Sequence, residues 1–179
     1  MDYSRHTNGR HDEIIEFFGA VFAASEGDEE GQLIAGLVKD ILAKTKPGDM
    51  YVFTATNGGT LTGCIIFTRL EYEQDDRTVF MLSPVAVATD QQGKGVGQKL
   101  LTFGLSDLRG RGVDVVITYG DPNYYSKVGF EQITEQQAQP PMKLQYPQGW
   151  LAQSLSDQDL APLKGPSQCA EAFKNTAYW

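Results

Sequence analysis

Hydrophobic runs long enough to cross a bilayer are absent from these 179 residues, and the opening stretch MDYSRHTNGRHDE has no apolar segment of the signal-peptide kind. A cytoplasmic protein without membrane contact is expected. Cysteine is scarce. Cys64 and Cys169 lack the close spacing of a metal site or a disulfide framework, and Cys64 falls in a strand-like run that suits a small core residue. The two histidines, His6 and His11, flank an N-terminal turn, where surface positions are expected, and no metal is expected. Basic residues are outnumbered, Lys+Arg 15 against Asp+Glu 23, for a net charge of −8. Nucleic-acid binding rests on phosphate neutralisation by Lys and Arg, so that partner is disfavoured. The acidic balance serves solubility first and also suits a cationic, amine-bearing ligand.

Hydrophobic content of 41% and charged content of 21% are ordinary for a globular chain. This length predicts one domain, 1–179, with a sizeable core. Its centre is the run VFMLSPVAVATDQQGKGVGQKLLTFGLSDLRGRG from Val79 to Gly112. Val79 to Val87 reads as a buried strand, and Gly93, Gly95 and Gly97 then allow a tight turn. Leu100, Leu101, Leu105 and Leu108 follow at helical spacing, and Gly110 and Gly112 supply the stop. A helix entered through glycines presents unpaired N–H groups at its positive end, a ready place for a phosphate or pyrophosphate. An ordinary strand–turn–helix with tight glycines has the same local pattern. The spacing matches neither G-x-G-x-x-G with a following acidic residue nor G-x-x-x-x-G-K-[ST].

Gln92-Gly93-Lys94-Gly95-Val96-Gly97 resembles the Q-x-x-G-x-G/A signature of the GNAT superfamily of N-acetyltransferases. Val85-Ala86-Val87 looks like the approach strand of that family, its strand four. The run GDPNYYSKVGF, Gly120 to Phe130, is similar to G-D-P-x-Y-Y-x-x-x-G-F of a branch of bacterial predicted acetyltransferases. The resemblance is strong from Met50 to Gln132 and weak at both ends. It implies an α/β GNAT-like fold, a mixed central sheet with splayed strands four and five flanked by helices. Acetyl-CoA is the implied co-substrate and a small-molecule or peptide amine the implied acceptor; a homodimer is left open. Val85, Ala86 and Val87 would pair with the pantetheine arm as an added strand does. Gln92, Gly93, Lys94, Gly95, Val96, Gly97 and Gln98 would hold the pyrophosphate.

In chain order, Met1 to His6 is a candidate first strand and Thr7-Asn8-Gly9 a turn. Helices are expected from about Asp12 to Ala24 and from about Glu29 to Lys44. In the second, Glu30-Gly31-Gln32-Leu33 is similar to the E-x-x-L of the same branch, which implies an acceptor-facing Glu30; the residue equally complements the helix dipole. Tyr51 to Thr56 and Leu61 to Leu70 read as a hairpin around Asn57-Gly58-Gly59. Glu71 to Arg77 reads as an acidic loop, either solvated or lining an amine entrance. Pro84 lacks a ladder donor, so its strand must be at an edge, bulged or splayed there. Val113 to Tyr119 is the next strand, with Asp121 as N-cap and Pro122 at the first position of a short helix that ends at Gly129-Phe130. The core is expected to reach about residue 133. The extension 134–179 begins as a Gln- and Pro-rich loop, carries a last strand from Trp150 to Leu155, and ends too rich in aromatics for a plain disordered tail.

Acetyl transfer needs a neutral amine, a donor for the oxyanion and a proton for the leaving thiolate. In the superfamily the proton often comes from a Tyr four residues before the Gly of Gly-Phe, which implies Tyr125 here, with Tyr124 as packing. Many relatives carry a glutamate on strand four or at the end of strand five. This sequence has Ser83-Pro84 and Thr118-Tyr119 there, so no general base is assigned. The expected activity is N-acetyl transfer by direct attack in a ternary complex. The missing carboxylate keeps open a module that binds or senses an acyl-CoA with little transfer.

Overall fold

A computed structural model describes residues 1–6 and 8–179. Two compact units are distinguished, one of 1–67 with 84–104 and one of 68–83 with 105–179. Among the described residues, seven strands form a mixed sheet in the order β1 (Asp2–His6), β2 (Met50–Asn57), β3 (Thr60–Arg69), β5 (Val79–Val87), β6 (Val115–Tyr119), β8 (Trp150–Ser154), β7 (Glu131–Gln132), and β4 (Glu71–Tyr72) and β9 (Ser167–Gln168) form a two-stranded ribbon.

The first unit opens with β1 (Asp2–His6), antiparallel to β2 (Met50–Asn57). The expected turn after β1 includes Thr7, which lies outside the described residues. Two helices follow, α1 (His11–Glu26) and α2 (Asp28–Lys44), each within two residues of the bounds read from periodicity. Their close approach is set by small residues: a Cβ on Gly31 would lie 2.6 Å from Ala23 Cβ and 2.7 Å from the Gly19 carbonyl oxygen. Strand β2 turns into β3 (Thr60–Arg69) through Gly58 and Gly59, at φ 56° and 84°. Two consecutive left-handed residues are what a two-residue hairpin with the native strand twist demands. His6 departs from its expected surface position. It is half-buried, with its Nε2 enclosed, and burial, then the nearby His11, lower its pKa.

Strand β5 (Val79–Val87) occupies the range read from the sequence and leads to α3 (Val96–Gly110). In the second unit its first half pairs in parallel with β6 (Val115–Tyr119), from Val79↔Val115 to Leu82↔Thr118. The register ends two residues before Pro84, in keeping with a residue that cannot donate to a ladder. Helix α4 (Pro122–Tyr125) follows, capped by Asp121, whose Oδ1 accepts from Asn123 N at 2.9 Å. Strand β7 (Glu131–Gln132) comes next in the chain, yet β8 (Trp150–Ser154) lies between β6 and β7 and is antiparallel to both.

Two expectations are corrected here. Trp150 to Ser154 is not the last strand, because β9 (Ser167–Gln168) pairs with β4 (Glu71–Tyr72). Nor is the acidic run 71–77 a solvated loop throughout. The Asp75 carboxylate accepts from Arg77 N, Nε and Nη2 at 3.0, 2.9 and 2.8 Å and from Lys164 N at 3.0 Å. Arg77 in turn donates to the carbonyls of Ala161 and Pro162 at 2.7 and 2.8 Å. Those charge-assisted bonds tie the C-terminal segment down, and the Arg77 guanidinium holds the Asp75 carboxyl well below the usual range.

Candidate active site

In the first unit the candidate coenzyme residues are continuous along the chain. Ala86 is buried while Val85 and Val87 are half-buried, the alternation of a strand with one covered face. Past the strand, Ala88 N donates to the Thr62 carbonyl at 2.9 Å and Gln91 N to the Ala88 carbonyl at 2.8 Å, which bends the chain toward the turn. The Gln92 side chain reaches back, Nε2 donating to the Val87 carbonyl at 3.0 Å. One of the strand groups expected to meet the pantetheine arm is therefore already engaged, and Gln92 acts as a brace for the turn.

Gly93 and Gly95 have φ of 75° and 80°, and a Cβ on either would meet nothing within 4 Å. Their need for glycine thus comes from the left-handed backbone, and the space above them is open. Lys94 and Gln98 are exposed, Val96 and Gly97 buried. Helix α3 begins at Val96, with Lys99 N donating to the Gly95 carbonyl at 3.1 Å. The amides ahead of Lys99 have no carbonyl one turn back within the helix, so they are its free donors. Glu30 sits half-buried in the first turn of α2, directly before the glycine that sets the α1–α2 approach.

Tyr125 belongs to the second unit. Its side chain is half-buried. Its ring meets Phe130 edge-on at 5.7 Å and Tyr124 at 5.0 Å between centroids. Burial above all pushes the phenol pKa up; Tyr124 and Asp121 push the same way, and the nearby Thr118 side chain opposes them. That burial favours the neutral phenol over the phenolate. Tyr124 is also raised by burial, to a smaller degree.

The sequence reading gave no site role to Thr118, Tyr119 or Gly120, which lead into the helix of Tyr125. Thr118 is 1% exposed, and its Oγ1 donates to the Leu82 carbonyl at 2.8 Å. Gly120 leaves room for the tyrosine ring, since a Cβ there would stand 2.7 Å from Cε2. Tyr119 accepts a hydrogen bond from Tyr146 N at 2.7 Å and stacks on Trp179 with centroids 6.2 Å apart. The G-D-P-x-Y-Y run already marked Gly120; the other two lie in a strand whose pattern signals only burial. Two open grooves of about 690 and 490 Å³ border the segment from Ser154 to Leu160, and neither is lined by Tyr125 or Thr118.

Comparison with known proteins places this chain in a family. The model of the acetyltransferase (GNAT) domain matches residues 2–133. An uncharacterised N-acetyltransferase of Escherichia coli K12, YjhQ, is 32% identical over 148 residues, 80% of this chain and 79% of its own. Among solved structures, the GNAT family N-acetyltransferase YhbS of Escherichia coli, in complex with CoA, superposes with a TM-score of 0.76 at 24% identity, covering 97% of this chain and 92% of that one. A GNAT family acetyltransferase of Brucella melitensis, in complex with acetyl-CoA, gives 0.66 at 23% identity, over 96% and 98% of the two chains. With a family model spanning most of its length and a curated relative of this identity and coverage, the chain belongs to the GNAT family of acetyltransferases.

Proposed function

We propose that this protein transfers the acetyl group of acetyl-CoA directly to an amine in a ternary complex, with Tyr125 as the general acid. The observation that carries the reading is the place of Tyr125 on the short helix after β6, four residues before Gly129, with its ring edge-on to Phe130 at 5.7 Å. The backbone of Val85 to Val87 pairs with the pantetheine arm, with the Val87 carbonyl shared with Gln92. The amides from Gly93 to Gln98 take the pyrophosphate at the start of α3. The neutral amine attacks the thioester carbonyl, and the tetrahedral intermediate collapses with cleavage of the C–S bond. The departing sulfur takes the Tyr125 proton, and the phenolate is reprotonated by the proton that the amine loses. Net transfer leaves an amide and the free thiol, with no proton gained or lost.

The family match to residue 133 supports a core ending there, with 134–179 as an extension that closes the second unit. A second reading, an acyl-CoA-binding module with little transfer, is favoured by one observation: no carboxylate stands at Ser83-Pro84 or Thr118-Tyr119, where the family resemblance implies that many members carry a glutamate.

Thiol release with a panel of amines, including polyamines, amino sugars and peptide N-termini, separates the two. Tyr125→Phe should then lower kcat about 10²-fold while leaving coenzyme affinity intact, the usual worth of a general acid. Tyr124→Phe is the matched control. Wild-type turnover by Tyr125→Phe would move the acid elsewhere, and coenzyme binding without acetylation of any amine would favour the binding module.

A further inference from the structure

We propose that Tyr119 and Trp179 are positioning residues for proton donation by Tyr125, holding the end of β6 so that the Gly120 backbone is a fixed seat for the tyrosine ring. The inference rests on the reading of Tyr125 as the acid. It gives a role in that step to the extension past residue 133, where the family match ends. Tyr119↔Trp150 is the last pair of the β6–β8 register on the side leading to α4. One further bond follows it, Gly120 N donating to the Gly149 carbonyl at 2.9 Å.

Side chains take over where the ladder stops. The Tyr119 ring stacks on Trp179 with centroids 6.2 Å apart and planes 17° from parallel, and it meets Trp150 edge-on at 6.4 Å. Its hydroxyl accepts from Tyr146 N at 2.7 Å. Trp179 is 4% exposed and is itself anchored, its Nε1 donating to the Phe173 carbonyl at 2.8 Å. Tyr119 is thus restrained by two indoles and through its own oxygen.

Gly149 passes that restraint to Gly120. A Cβ on Gly149 would stand 3.0 Å from the Gly120 carbonyl oxygen and 3.3 Å from Cε1 of Tyr119, so only a bare backbone fits between them. On Gly120, in turn, a Cβ would stand 2.7 Å from Cε2 of Tyr125. Interiors packed this closely transmit displacement, so a shifted Tyr119 moves Gly120 and with it the phenol. A general acid works only within hydrogen-bond reach of the atom it protonates, and small misplacements are costly.

Trp179→Ala removes the stacked indole, whereas Trp179→Phe keeps an aromatic face. In the full-length protein with a working amine, below the melting transition of each variant, Trp179→Ala should lower kcat about tenfold. The acetyl-CoA KM should stay within about twofold of wild type. Trp179→Phe should recover most of the loss. In a Tyr125→Phe background, Trp179→Ala should cost no further kcat, the non-additivity expected when two residues serve one step, while its drop in Tm should be the same in both backgrounds. If Trp179→Ala does not fold, Tyr119→Phe, which keeps the ring and removes the tie to Tyr146, carries the same comparison. An unchanged kcat, a folded Trp179→Phe as slow as Trp179→Ala, or an equal fold-loss with and without the Tyr125 hydroxyl would each overturn the proposal. Failure of the acid reading itself is seen separately, as wild-type turnover by Tyr125→Phe alone.

Discussion

A Cβ on Gly120 would stand 2.7 Å from Cε2 of Tyr125, closer than side-chain carbons approach in folded proteins. Gly120 is outside the left-handed region, so the demand for glycine comes from the ring and not from the backbone. Gly120→Ala should therefore tilt the phenol off its aim. A kcat reduced about tenfold or more, with unchanged calorimetric affinity for acetyl-CoA, is the expected result, because small misplacements of a reacting group are costly. Wild-type turnover would mean that the ring shifts without consequence.

The glycine turn makes a different prediction. Gly95 has φ of 80° and open space above it. A β-branched residue there is both strained and placed over the face that should receive phosphate oxygens. Gly95→Val should weaken coenzyme binding by about tenfold or more, equivalent to about 1.4 kcal/mol or more. Isothermal calorimetry on the folded variant reads this directly, and unchanged affinity would remove the pyrophosphate from this turn.

Asp75 predicts a pH dependence of stability. Its folded pKa is depressed, chiefly by Arg77, so its contribution is fully present above the unfolded value of about 3.9 and is lost as pH falls from there toward the folded value. Asp75→Asn should remove about 2 kcal/mol at neutral pH, the usual scale for hydrogen bonds to a charged group. Its urea midpoint should also decline less than that of wild type between pH 5 and pH 3. Parallel curves for the two proteins would show that the Asp75–Arg77 pair contributes little.

Glu30 offers the acceptor test. If it faces the amine, Glu30→Gln should raise the acceptor KM severalfold and leave acetyl-CoA affinity alone. Equal kinetics in both proteins would reduce Glu30 to a helix-dipole acid in the first turn of α2.

Residues close in sequence determined a large share of this protein by themselves. The 3.6-residue spacing of apolar side chains marked α1, α2 and α3, and β5 occupies the range that its β-branched run indicated. The paired glycines of the β2–β3 turn, the left-handed Gly93 and Gly95, and the Asp121-Pro122 cap are local solutions to local backbone demands. For the same reason Tyr125 and the glycine turn could be nominated from sequence, because each sits in a short motif whose geometry is set within a few residues.

Only the tertiary structure decided what joins distant segments. Strand β8 inserts between β6 and β7, and the two-residue β9 finds β4, though so short a strand carries no period to read. Asp75, apparently one more acid in a solvated run, is fixed by Arg77 and by the Lys164 amide far along the chain. Thr118 looks like an ordinary polar residue in a buried strand until Leu82, thirty-six positions away, proves to accept its proton. Hydrophobic periodicity says which face of an element is buried, and it carries no information about which carbonyl or hydroxyl waits on the other side.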